Sequence, residues 1–176
     1  MNTLEWLGHH HEGFDGLGED ETTAMMEFTI LWAFFEAHYL GTNASPQKFV
    51  SLAEEIVATD RINMPPIIEA TKYWRNRYVE NGMSTHYFAT LHLRDNDNRQ
   101  IVEDVLFRND NTPMNLLTTG LTIVYRYRNN LFHGMKWAYG LKGQKGNFMI
   151  ANSFLKNVAE MCEYKCSQRQ IKAHLT

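Results

Sequence analysis

The 176-residue chain has two cysteines, four prolines and no apolar run of membrane-spanning length. Two thiols, Cys162 and Cys166, are too few to staple a secreted mini-domain and supply only part of a closed zinc site. Four apart, they read as small hydrophobes on one helix face. The longest nearly apolar stretch, Phe28 to Phe35, falls far short of the ~20 residues that cross a bilayer. Glu5 stands where a secretory leader carries basic residues. A soluble, cytoplasmic protein without a membrane partner is therefore expected. A Gly-rich phosphate loop, an HExxH pair, a Gly-x-Ser-x-Gly elbow and paired CxxC motifs are also absent, which removes several common catalytic signatures. No metal and no cofactor are expected.

Charge of one sign is missing in two places. Residues 1–47 hold eight acids and no Lys or Arg, whereas residues 111–159 hold six bases (Arg126, Arg128, Lys136, Lys142, Lys145, Lys156) and no acid. The net charge of −3 conceals this division. Two readings stay open. The base-only block is an electrostatic footprint for a polyanion or an acidic partner, or the two segments pair with each other in the fold.

What the chain does have is apolar side chains at helical spacing. Hydrophobic residues make up 44% of it, enough for one core. A helix is expected from Thr22, after the acidic run Glu19-Asp20-Glu21, with Met25, Phe28, Trp32, Phe35 and Tyr39 in register and a stop at Gly41. Its other sides are apolar too, so it is central in a bundle or faces a second subunit. Ser45-Pro46 caps a helix carrying Phe49, Leu52, Ala53 and Ile56. Another starts at Asn63, buries Ile67, Thr71, Trp74 and Tyr78, and ends at Asn81-Gly82. Ser84 to Leu93 suits a helix or one arm of a hairpin turning at Asp95-Asn96-Asp97-Asn98; helix is the reading taken.

Asn98 to Phe107 reads as a short helix with Ile101, Val102, Val105 and Leu106 inward. Thr112 to Gly134 is the clearest helix, with Thr112 as N-cap, Pro113 in first position and Gly134 as stop. Leu117, Leu121 and Val124 form one stripe; Leu116, Gly120, Ile123 and Tyr127 form another, where Gly120 permits close approach. The last helix carries Phe148, Ala151, Leu155, Val158 and Cys162. The expectation is an all-α single domain of six or seven helices over residues 22–166. A flexible acidic segment (1–21), including a solvated His9-His10-His11-Glu12 stretch, precedes it, and a tail (167–176) follows.

One residue breaks the pattern. Arg128 occupies the next stripe position after Val124, and a guanidinium there must reach a carboxylate, a ligand or a solvated cleft. Glu36 is the carboxylate on the acidic side that most needs a partner, being set in an apolar helix.

Arg128 opens the stretch Arg128-Asn129-Asn130-Leu131-Phe132-His133-Gly134. Arg binds phosphate oxygens through a planar fork, and His exchanges protons near neutral pH. These types serve metal-free RNA transesterification, in which the 2′-hydroxyl loses a proton, a cation steadies the phosphorane and an acid protonates the leaving oxygen. On an ideal helix Arg128 and His133 lie about 140° apart, so the last turn is distorted or two copies form a composite site. Asn129, four residues before His133, is placed to orient its ring. Arg126, Asn130, Lys136, Lys142 and Lys145 are the candidate RNA- or phosphate-binding residues, with Tyr125, Tyr127, Trp137 and Tyr139 available to stack on unpaired bases.

The same stretch resembles the signature of the HEPN superfamily, in which Arg is followed by a polar residue and, after four to six intervening positions, by His. The resemblance implies a helical bundle that forms a homodimer and acts as a metal-independent endoribonuclease. Carried onto this sequence, it makes Arg128 and His133 catalytic, with Asn129 assisting. A second reading keeps the same residues in a non-catalytic HEPN-like module that binds nucleotide, RNA or a protein partner, such as an antitoxin, in a toxin–antitoxin or defence system. A purely structural helical subunit is the third.

Overall fold

The computed structural model describes residues 1, 3–11, 14, 17–59, 61–132 and 141–174, with side chains through residue 163. Among them are eight helices and almost no strand, an all-α bundle. No helix among the described residues is long and apolar enough to cross a membrane. His133, Lys136, Trp137 and Tyr139 lie outside the described residues, as does the expected stop at Gly134.

The first differences come at the N-terminus. Residues 1–21 include helix α1, Thr3–His10, which buries no side chain. On it His10 stacks on Trp6 with ring centroids 4.2 Å apart. Helix α2, Glu19–Tyr39, begins three residues before the expected Thr22. The acidic triad is thus the first turn itself, where carboxylates favour the helix dipole. Glu21 also turns back to accept the Gly18 amide at 3.4 Å. Phe28, Trp32 and Phe35 are its buried stripe.

Helix α3, Pro46–Val57, is capped by Ser45 and buries the four expected side chains Phe49, Leu52, Ala53 and Ile56. Helix α4, Met64–Tyr78, likewise buries Ile67, Thr71, Trp74 and Tyr78. It ends sooner than Asn81-Gly82, because that pair makes a hairpin. Strands β1 (Val79–Glu80) and β2 (Met83–Ser84) pair antiparallel around it. Asn81 (φ 52°) and Gly82 (φ 75°) both take left-handed backbone, the requirement of the tightest hairpin turns. The helix expected over Ser84–Leu93 shrinks to α5, His86–Ala89. After it the chain stays irregular until α6, Arg99–Phe107, whose Val102, Val105 and Leu106 point inward.

Helix α7, Pro113–Phe132, is the axis of the bundle, and every residue from Leu116 to Val124 is buried. Helices α3, α4 and α6 pack around it. Helix α8, Lys145–His174, runs against α2 and α4 and continues through the segment expected as a tail. It buries Phe148, Ala151, Leu155, Val158 and Cys162, as the periodicity predicts. Gly120 is where α7 and α8 approach most tightly. A Cβ there would sit 2.2 Å from the ring of the fully buried Phe154. A buried polar chain also links α4, α7 and α8. Tyr78 and Tyr127 share a hydrogen bond of 2.7 Å, and Tyr127 and Tyr73 donate to the Asn147 carbonyl oxygen at 3.2 and 3.0 Å. Burial raises both the Tyr78 and the Tyr127 phenols above their ordinary range.

Candidate active site at the end of helix α7

The last two turns of α7 send polar side chains to opposite sides. Arg126 points toward the loop that leads into α6. Its Nε donates to the Leu91 carbonyl at 3.0 Å, and its Nη1 lies 3.4 Å from the Asp97 carboxylate. Both side chains are only 5% exposed. Burial pushes the Arg126 guanidinium below its ordinary value, and the negative charge of Asp97 opposes that shift. One turn on, Asn130 Nδ2 donates to the Thr90 carbonyl at 2.9 Å. Asp97 also accepts the Arg94 amide at 2.9 Å. This side is a brace between α7 and the 90–98 loop. Arg126 and Asn130 were both expected to contact phosphate; they are instead buried against their own chain, and as seated they offer RNA no surface.

Arg128 leaves the other side, toward α2. There Glu36 has committed both oxygens to neutral donors: Oε1 accepts the Ala44 amide and Oε2 the Trp32 indole N–H, each at 3.0 Å. The Arg128 Nη2 lies 3.8 Å from Glu36 Oε2, close enough for Coulomb attraction and too far for a hydrogen bond. Arg128 Nη1 donates to the Asn129 side-chain oxygen at 3.0 Å, while its Nε has no partner among the described residues. The Arg128 side chain stays 29% exposed. Arg128, Asn129 and Glu36 are therefore brought together, with guanidinium donors to spare. The structure gives Asn129 a definite contact with Arg128; its expected partner, His133, lies outside the described residues.

The other basic candidates are spread out. Lys145 pairs with Asp20 at 2.6 Å, and the neighbouring Gly143 amide donates to Glu21 at 2.6 Å. The Lys145 ammonium, through its hydrogen bond and its charge, holds the Asp20 carboxyl below its ordinary value. The acidic and basic segments thus meet in part within the fold, here and at Glu36–Arg128. Lys142 is exposed in the turn before α8. Of the aromatic candidates, Tyr127 is buried in the polar chain described above. Tyr125 packs on Trp32 and Phe49, with centroids 6.0 and 5.3 Å away.

Phe132 was absent from the sequence-based candidates. It is 54% exposed, and the Arg128 guanidinium carbon lies 5.3 Å from its ring centroid. The available signal was its spacing, four residues after Arg128 and therefore on the same side of the helix. Phe132 and Leu131 also wall an open groove of about 440 Å³ against Met25, Met26, Thr29 and Ile30 of α2. Met26, Ile30 and Phe34 continue along α2 as an exposed apolar edge at four-residue spacing.

No protein-family model, no curated protein and no solved structure matches the chain.

Proposed function

We propose that the protein is a metal-independent endoribonuclease of the HEPN type, working as a homodimer that brings two copies of the α7 C-terminal motif to one cleft. The observation that carries this reading is the state of Arg128. Its side chain is 29% exposed, its ion pair with Glu36 is long at 3.8 Å, and its Nη2 makes no hydrogen bond among the described residues. A phosphate would complete that fork. In the reaction, the 2′-oxygen attacks the adjacent phosphorus as its proton passes to a base. The bond from phosphorus to the 5′-oxygen breaks, and that oxygen takes a proton from an acid. His133 serves as the proton-exchanging group, and Arg128 steadies the charge that builds on the phosphorane oxygens. Asn129, bonded to the Arg128 Nη1, holds the fork in place. The products carry a 2′,3′-cyclic phosphate and a 5′-hydroxyl.

The test is cleavage of single-stranded RNA in EDTA. Wild type should cut, and His133→Ala should lose about 100- to 10,000-fold, the usual worth of a positioned acid–base group. Equal cleavage by both, or none by either, removes the nuclease reading.

A second reading is favoured by Glu36. Its bonds to Trp32 and to the Ala44 amide tie α2 to the start of α3, and the long Arg128 contact adds α7 to that brace. Under it the protein is a non-catalytic module that binds nucleotide, RNA or a protein partner in a toxin–antitoxin or defence complex. RNA or nucleotide binding without cleavage supports it.

A further inference from the structure

We propose that the groove between α2 and the end of α7 is a subsite for one unpaired nucleobase, stacked on Phe132 while the adjoining phosphate meets Arg128. The inference rests on the proposed function only in taking Arg128 as the phosphate contact. It adds the substrate feature that this site selects: an unstacked base, hence single-stranded or looped RNA.

Three observations converge on the end of α7. Phe132 is an aromatic ring with over half its surface open, at the last described residue of α7. The Arg128 guanidinium carbon stands 5.3 Å from the centroid of the same ring, and its Nη2 makes no hydrogen bond among the described residues. Apolar side chains wall the groove beside it, and its one hydroxyl, on Thr29, donates to the Met25 carbonyl at 2.9 Å. A nucleotide matches this pairing within a single ligand, because its base has an apolar π-face and its phosphate is anionic. A duplex does not match, since its bases are stacked on each other. A protein face laid into the groove would cover Arg128 and would have to bring a carboxylate to the same spot. Among the described wall residues the Thr29 hydroxyl oxygen is the one side-chain acceptor, so the subsite reads the presence of a base more than its identity. The stacking platform is thus Phe132; of the four aromatics the sequence pointed to, Tyr125 and Tyr127 are occupied by the core, and Trp137 and Tyr139 lie outside the described residues.

The experiment measures binding apart from cleavage. A fluorescein-labelled ten-nucleotide RNA, alone or annealed to its complement, is titrated by anisotropy against the full chain carrying His133→Ala. Phe132→Ala and Phe132→Trp are placed in that background, and Ile30→Glu sets a charge in the groove at an exposed position. Phe132→Ala should weaken single-strand binding about tenfold, the scale of losing one base–aromatic stack, and leave duplex binding unchanged. Phe132→Trp should restore it, and Ile30→Glu should weaken it. Equal single-strand binding by Phe132→Ala and its parent overturns the subsite, as does an equal loss on duplex. If Phe132→Ala and Ile30→Glu turn a dimer into a monomer at unchanged RNA affinity, the groove is an interface between copies and the proposal fails. Cleavage in EDTA by the wild type is scored separately. Strand-selective binding without cleavage keeps the subsite and removes the nuclease; cleavage with indifferent Phe132 variants does the reverse.

Discussion

Arg126 and Arg128 sit two residues apart on α7 and point about 200° away from each other. The Asp97 side of the helix is closed. Arg126 is spent on a buried carboxylate and a backbone carbonyl, and Asn130 adds a second carbonyl bond. The Glu36 side is open. Its carboxylate accepts the Trp32 indole and the Ala44 amide and holds Arg128 only at 3.8 Å, beside the exposed ring of Phe132. The same residue type within one turn is thus a buried brace on one side and, on the other, the partly exposed cation proposed to meet phosphate. What separates them is burial and reach: Arg126 and Asp97 are each 5% exposed and 3.4 Å apart, whereas Arg128 stands 3.8 Å from Glu36 and stays 29% exposed.

The largest test of that contrast is to remove each guanidinium. Arg126→Ala leaves Asp97 buried and uncompensated, so it should cost about 3–5 kcal/mol of unfolding free energy. Arg128→Ala should cost less than about 1 kcal/mol, because the ion pair is long and partly solvated. Urea denaturation of both variants measures this, and similar losses would erase the distinction. Next is Asn130→Ala, which takes the donor from the part-buried Thr90 carbonyl and removes the longer bond to the Leu91 carbonyl, and should cost about 1–2 kcal/mol. Faster amide exchange over residues 90–98 would locate the damage in the loop rather than in the RNA contact.

On the open side, Glu36→Gln sharpens the comparison. An amide offers one acceptor oxygen where the carboxylate offers two, so either the Trp32 indole or the Ala44 amide loses its partner, at about 1–2 kcal/mol. RNA affinity should hold or rise, since Arg128 loses a competing negative charge. A fall in affinity would mean that Glu36 orients Arg128 rather than merely bracing α2.

The smallest effect is expected at Lys145. Lys145→Ala should lower the melting temperature only slightly at neutral pH and let the Asp20 carboxyl rise toward its ordinary value of 3.8, read by carbon NMR across an acid titration. The sign follows from the depressed carboxyl. The pair's contribution is present above the ordinary carboxyl value and is lost as pH falls through the lower folded one. An unmoved Asp20 would show that the two segments do not pair there in solution.

Much of the bundle was legible before any coordinate. Ser45-Pro46 and Thr112-Pro113 mark the helix starts at Pro46 and Pro113, since a hydroxyl cap followed by proline leaves few alternatives. The stripes of α3, α4 and α8 name their buried residues one by one. Gly120 was readable as a close approach, and Phe154 fills the space its missing Cβ leaves. The stretch from Asn81 to Asn98 was not. The Asn81-Gly82 pair served equally well as a helix stop and as a hairpin turn, and only the pairing of Val79 with Ser84 chooses between them. The site was half legible. Arg128 stood out by breaking a stripe, but Arg126 looked like its equal, because Thr119 and Thr122 on its side of the helix suggest solvent and are in fact buried.

Helix starts, apolar stripes and the position of a cation near a helix end are local properties, set by spacing within one segment and by caps a few residues away. The chain order alone determined these. Which cation is sealed depends on what another segment brings to its azimuth: Asp97 from a loop, and Glu36 already held by Trp32 and Ala44. Those partners are remote in the chain, and no periodicity encodes them. Only packing decided that Arg126 became part of the core while Arg128 and Phe132 were left facing outward.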